Sequence, residues 1–115
     1  MATRALVGLQ ESDGTVTSIY VHWDGYPGGV GQTLVRHYTS EEHVRALLAT
    51  GAHSTLDAEP EVGAYNDGTT AITGGWSDAG QNYVYLFHQG AWTYALWDWK
   101  TEQPGSFQPL RVEEK

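Results

Sequence analysis

The chain has 115 residues, 40% of them hydrophobic and 12% aromatic, which suits one domain over residues 1–115 with a single core and is too little for two. Six Lys and Arg against 14 Asp and Glu leave a formal charge of -8, a field that repels phosphate backbones and anionic membrane surfaces and disfavours general nucleic-acid binding. With no cysteine there are no disulfides, cysteine zinc sites or thiol nucleophiles; with no long apolar run and no secretory h-region near Met1, the expected location is the cytoplasm.

Taken in chain order, two β-rich runs, Arg4 to Gln10 and Thr15 to Trp23, flank Asp13-Gly14. These two residues tolerate the positive φ of a tight turn, so the segment reads as a hairpin. Asp24-Gly25-Tyr26-Pro27-Gly28-Gly29 is a loop, and Val30, Leu34, Val35 and Tyr38 recur at helical spacing, predicting a short helix over Gly29 to Tyr38. Thr39-Ser40-Glu41-Glu42 has the form of a capping box, with Thr39 at the cap. It opens a second helix whose stripe is Val44, Leu47 and Leu48 and whose stop is Gly51. Residues 52–63 read as irregular, with short strands over 63–66 and 71–76 and turns at 74–75 or 77–80.

Asn82 to Phe87 and Ala91 to Trp99 are aromatic runs divided by His88-Gln89-Gly90, a second hairpin. If His88 opposes Ala91, Tyr85 faces Tyr94, Phe87 faces Trp92 and Tyr83 lies near Leu96, making one sheet face an aromatic ladder. Pro104-Gly105 predicts a turn, and Phe107 to Val112 an edge strand because of Pro109. The expected fold is α+β: a mainly antiparallel sheet containing the N-terminal hairpin and the C-terminal aromatic hairpin, with two short helices in the middle packed on one face.

The densest polar and aromatic cluster runs from His22 through the glycine loop into the first helix. Gly28, Gly29 and Gly31 would let backbone amides approach an anion, Thr33 offers a hydroxyl, Gln32 and Asp24 flank the turn, Arg36 supplies charge, and Trp23 or Tyr26 could stack on a ring. The same glycines also serve a plain strand-to-helix turn capped by Asp24. Compared with a phosphate-binding P-loop, Gly31-Gln32-Thr33 lacks the Lys and Tyr26 stands at the first Gly position, which excludes NTP hydrolysis of that type. His22, Asp24 and His37 are the ligand set a metal would use, or His22 with Asp24 an acid–base pair; surface histidines are the plainer account, and neither a cofactor nor catalysis is expected.

Between Ala46 and Trp99 there is no Lys or Arg, while Asp57, Glu59, Glu61, Asp67, Asp78 and Asp98 are present. This is either a solvating surface or one that imitates nucleic acid and occupies a basic groove on a partner. Trp97 and Trp99 share a strand side and, with Trp76, could clamp a planar ring or seal an interface; five Trp in so short a chain point to a homo-oligomer.

The run Ile19-Tyr20-Val21-His22-Trp23-Asp24-Gly25-Tyr26-Pro27, with Val30-Gly31, Thr33-Leu34 and His37-Tyr38 after it, resembles a family of small proteins encoded by tailed bacteriophages and prophages. The likeness continues through Leu47 to Gly51, Tyr83 to Phe87 and Gly90-Ala91-Trp92; family members often carry Lys where this chain has Gln32. The resemblance implies an accessory protein of host takeover or anti-defence and supplies no mechanism. Combined with the residues above, it leads to the expectation of a non-hydrolysing binder of a small nucleotide-like anionic ligand. The alternatives are an acidic inhibitor of a host nucleic-acid-binding or defence protein and, third, a small metal-dependent hydrolase.

Overall fold

A computed structural model describes residues 3–49, 72–73 and 81–110. The Asp13-Gly14 turn forms as its chemistry requires. Gly14 takes φ 90° and donates its N–H to the Glu11 carbonyl, while Asp13 Oδ1 accepts from both the N–H and the hydroxyl of Thr15. On either side run β1 (Ala5–Gln10) and β2 (Val16–Val21), antiparallel, with Ala5 opposite Val21 and Gln10 opposite Val16.

After β2 the chain makes a wide π-type turn over Pro27–Gly31 and only then enters α1 (Gln32–His37), so the predicted helix start at Gly29 is three residues early. The reason is local: the Tyr26 carbonyl accepts from both Gly29 and Gly31, and the Asp24 carbonyl accepts from Val30, a pattern wider than the α-helical one. Helix α2 (Glu41–Leu48) is capped by Ser40, whose Oγ accepts from the His43 N–H at 3.2 Å. The predicted Thr39 cap with Glu42 is therefore displaced by one residue. Glu41 and Glu42 occupy the first turn, where they suit the helix dipole, and Val44, Leu47 and Leu48 are buried as expected.

Strand β3 (Ile72–Thr73) pairs with β2 and falls inside the strand expected over 71–76. The other expectations for 50–71 and 74–80, including the helix stop at Gly51, the strand over 63–66, the turns and Trp76, lie outside the described residues. The aromatic hairpin consists of β4 (Tyr83–His88) and β5 (Ala91–Asp98), in the predicted register: His88 opposite Ala91, Phe87 opposite Trp92, Tyr85 opposite Tyr94 and Tyr83 opposite Leu96. Beyond it, the turn lies at 98–102 and not at Pro104-Gly105. Asp98 Oδ1 accepts from the N–H groups of Lys100 and Thr101, and Glu102 takes φ 56°. Pro104 instead belongs to β6 (Gln103–Pro104), and β7 (Gln108–Pro109) forms within the predicted edge strand; both pair with β5 at the sheet margin, where a proline is tolerated.

The strand order is β3-β2-β1-β4-β5-β6, with β7 also on β5. Both hairpins thus belong to one sheet, joined by a parallel pairing of β1 with β4, from Ala5 beside Tyr83 to Leu9 beside Phe87. The result is an α+β fold with a mixed, mainly antiparallel sheet. β1 is buried at every residue from Ala5 to Leu9, as suits a central strand covered on both faces. Ala5, Val7 and Leu9 join Ile19, Val21, Tyr85, Phe87 and Trp92 in one core with Leu34 and Tyr38, around α1, and Val44, Leu47 and Leu48 of α2. The helices therefore lie over this face, and the Trp92 indole N–H fastens them by donating to the Tyr38 carbonyl at 2.7 Å. The opposite face carries Leu6, Ser18, Val84, Ala95 and Trp97, also buried. Among the described residues no helix is long and apolar enough to cross a membrane.

Candidate functional site

The glycine loop is held from below by the sheet. The Tyr85 hydroxyl donates to the Gly25 carbonyl at 2.6 Å, and the Gly25 N–H donates to the Thr3 carbonyl at 2.8 Å. Burial pushes the Tyr85 phenol further above its ordinary range, so it remains a donor throughout the working pH range. Asp24 takes φ 58°, which turns its carbonyl into the loop to accept from the Val30 N–H at 2.7 Å. A Cβ on Gly29 would collide with that carbonyl oxygen. A Cβ on Gly31 would lie 3.2 Å from the Tyr85 ring. Gly29 is therefore needed for the chain to pack on itself, and Gly31 sits in tight contact with the Tyr85 ring.

That packing changes the chemistry expected of the loop. The N–H groups of Gly29, Val30, Gly31 and Gln32 all donate to loop carbonyls and form no cradle for an anion. What the loop presents is side chains: Asp24, Gln32, Thr33, Arg36 and His37 surround a hollow of about 260 Å³ floored by Gly28, Gly29 and Val30. Arg36 Nε donates to Gln32 Oε1 at 3.3 Å, one helical turn away, beside the hollow. The Thr33 hydroxyl donates to the Gly29 carbonyl at 3.4 Å, leaving its oxygen as an acceptor on that wall.

Of the residues singled out in sequence, Asp24, Gly28, Gly29, Gln32, Thr33 and Arg36 line this hollow and Gly31 lies buried beneath it. Trp23 and Tyr26, each 44% exposed, do not line it. The Trp23 ring instead meets the His22 ring edge-on, with centroids 4.8 Å apart. His22 is turned to Tyr20, a 2.7 Å hydrogen bond joining its Nδ1 to the phenolic oxygen. The suggested metal set is therefore divided, with Asp24 and His37 on the hollow and His22 away from it, and no group of three metal-ligating side chains occurs among the described residues. Of the acids between Ala46 and Trp99, only Asp98 is among the described residues, and it serves the turn after β5.

A second concavity, of about 690 Å³, lies at the outer end of the aromatic hairpin and reaches the glycine loop at Pro27. Tyr83 and Tyr94 from one sheet face, Leu96 at 61% exposure and Trp99 at 52% form it, with Trp97 and Lys100 alongside. The Trp97 and Trp99 rings meet edge to face at 6.4 Å, as their shared strand side predicts. Tyr83 and Tyr94 were legible only as rungs of a core ladder. The signal that could have exposed them is Leu96, an apolar residue on the ladder face but beyond the reach of the short helices. Comparison with family models, curated proteins and solved structures finds no match.

Proposed function

We propose that this protein binds and sequesters a small nucleotide-like anionic ligand without hydrolysing it. The observation that carries this reading is the 260 Å³ hollow, where Arg36, held by Gln32, stands with Thr33, His37 and Asp24 around one opening beside the glycine loop. A guanidinium lining the hollow is suited to a phosphate or carboxylate, and Gln32, Thr33 and Asp24 offer hydrogen-bond partners for neighbouring hydroxyl or amide groups. In a chain of charge -8, a cation placed at a concavity is a local exception to the surrounding field. The resemblance of the Ile19 to Tyr38 region to phage-encoded proteins supports a setting in the cytoplasm of an infected cell, where removal of a signalling nucleotide would blunt host defence.

Equilibrium dialysis of the purified protein against nucleoside monophosphates tests the reading. Arg36→Ala should weaken binding roughly ten- to a hundredfold, the worth of one charge-assisted hydrogen bond. Unchanged affinity in that variant, or no nucleotide retained by the parent protein, overturns the proposal.

A further inference from the structure

We infer that the aromatic cleft beyond Pro27 is the subsite for the flat heteroaromatic ring of the ligand, with Trp99 as its stacking surface, Tyr83 and Tyr94 in its lining and Lys100 as its cation. This inference rests on the small-ligand reading and assigns the ring to a place other than Trp23 and Tyr26.

Its grounds are chemical and geometric. Tyr83, Tyr85 and Tyr94 form a row of nearly parallel rings, with centroids 6.4 and 6.3 Å apart and planes inclined by 23° and 28°. Tyr85 is wholly buried at the centre of that row, while Tyr83 and Tyr94 line the cleft. Trp99 stands half-exposed at the same cleft, its ring edge to face with that of the buried Trp97. Half-exposed aromatic surface is what a stacking ring exchanges favourably for water.

Charge narrows the ligand further. Of the Lys and Arg side chains among the described residues, Arg45 pairs with Glu11 and Glu41, Arg36 lines the hollow, Lys100 lines the cleft and Arg4 lines neither. Asp98 also borders the cleft, where its Oδ1 accepts from the N–H groups of Lys100 and Thr101. A plain hydrocarbon has no use for Lys100, and a simple inorganic anion has no use for the rings. A heteroaromatic ring, bearing acceptor atoms and joined to an anionic group, uses both. The ring nitrogens and carbonyls of a nucleobase supply such acceptors, and the volume of about 690 Å³ is ample for one.

The test follows the tryptophan indole N–H resonances of the isotopically labelled full chain while the common nucleosides, their monophosphates and inorganic phosphate are titrated separately. Trp99→Phe assigns its own signal and keeps a stacking ring. A nucleoside or its monophosphate should shift the Trp99 signal and inorganic phosphate should not; Trp99→Ala should weaken nucleotide binding by roughly fivefold to a hundredfold, with Trp99→Phe restoring most of it. Nucleotide binding that depends on Arg36 but is indifferent to Trp99→Ala, with the Trp99 signal unmoved, overturns the ring subsite and leaves the proposed function standing. Binding of phosphate alone has the same meaning. If no nucleotide binds at all, both fail. A Trp99 signal that moves with protein concentration and not with nucleoside assigns the cleft to a second copy of the chain and overturns the inference.

Discussion

Tyr85 shows how much a single side chain can settle. Its ring lies in the core row between Tyr83 and Tyr94, its edge supports Gly31, and its hydroxyl holds the Gly25 carbonyl across 60 residues of sequence. Tyr85→Phe keeps the ring and leaves a buried carbonyl without its donor, so it should cost about 1–3 kcal/mol in urea unfolding. It should also weaken ligand retention by loosening the loop that floors the hollow. A variant as stable as the parent would show that the Gly25 carbonyl finds another donor. From sequence, Tyr85 is legible as the partner of Tyr94, because strand alternation dictates side-chain direction. The tie to Gly25 is not, since no periodicity relates a loop carbonyl to a distant phenol. The same divide holds at Gly29: its permissiveness is evident from composition, but only the fold reveals that the crowding atom is the Asp24 carbonyl and not a ligand.

At the scale of elements, the hairpins are the most legible part, as the Asp13-Gly14 turn and the three residues before Ala91 fix both registers locally. The end of β1 is tied to α2 by a less visible device. Arg45 donates to both Glu11 oxygens and to Glu41, and the Thr17 hydroxyl donates to Glu11 as well. The hydrogen bonds from Arg45 first, and then Thr17, hold the Glu11 carboxyl below its ordinary value of 4.5. A carboxyl depressed in the folded state contributes its stability above the unfolded value and loses it as pH falls through the folded one. Glu11→Gln should therefore cost no more than about 1 kcal/mol near neutrality, given the solvent screening at this rim, and the difference should fade below roughly pH 4. Denaturant midpoints of parent and variant at neutral and acid pH check this; a difference that persists in acid removes the ion pair from the account.

For the molecule as a whole, the aromatic surplus is the feature that the core does not absorb. Trp92 and Trp97 are buried, while Trp23 and Trp99 remain near half exposure on the same acidic chain. Self-association is the expected outcome, with the exposed Trp23 as a candidate contact. Sedimentation at tens of micromolar, roughly the range where a modest interface fills, should give a mass above the 12.6 kDa of one chain. A mass at that value refutes association, and an associated species whose mass is unmoved by Trp23→Ser places the contact elsewhere.

The parallel pairing of β1 with β4 has a consequence for how order is distributed along the chain. Each hairpin closes over a few residues, but the contact between Arg4 and Asn82 that borders this seam joins positions 78 apart. Closing a flexible loop of that length carries a length-dependent entropic toll of about 4 kcal/mol. The β2–β3 pairing and the bond from the Tyr85 hydroxyl to the Gly25 carbonyl are non-local as well. The phenol beneath the hollow therefore reaches the glycine loop only when distant segments meet, while the aromatic hairpin that carries most of the cleft closes on its own local register.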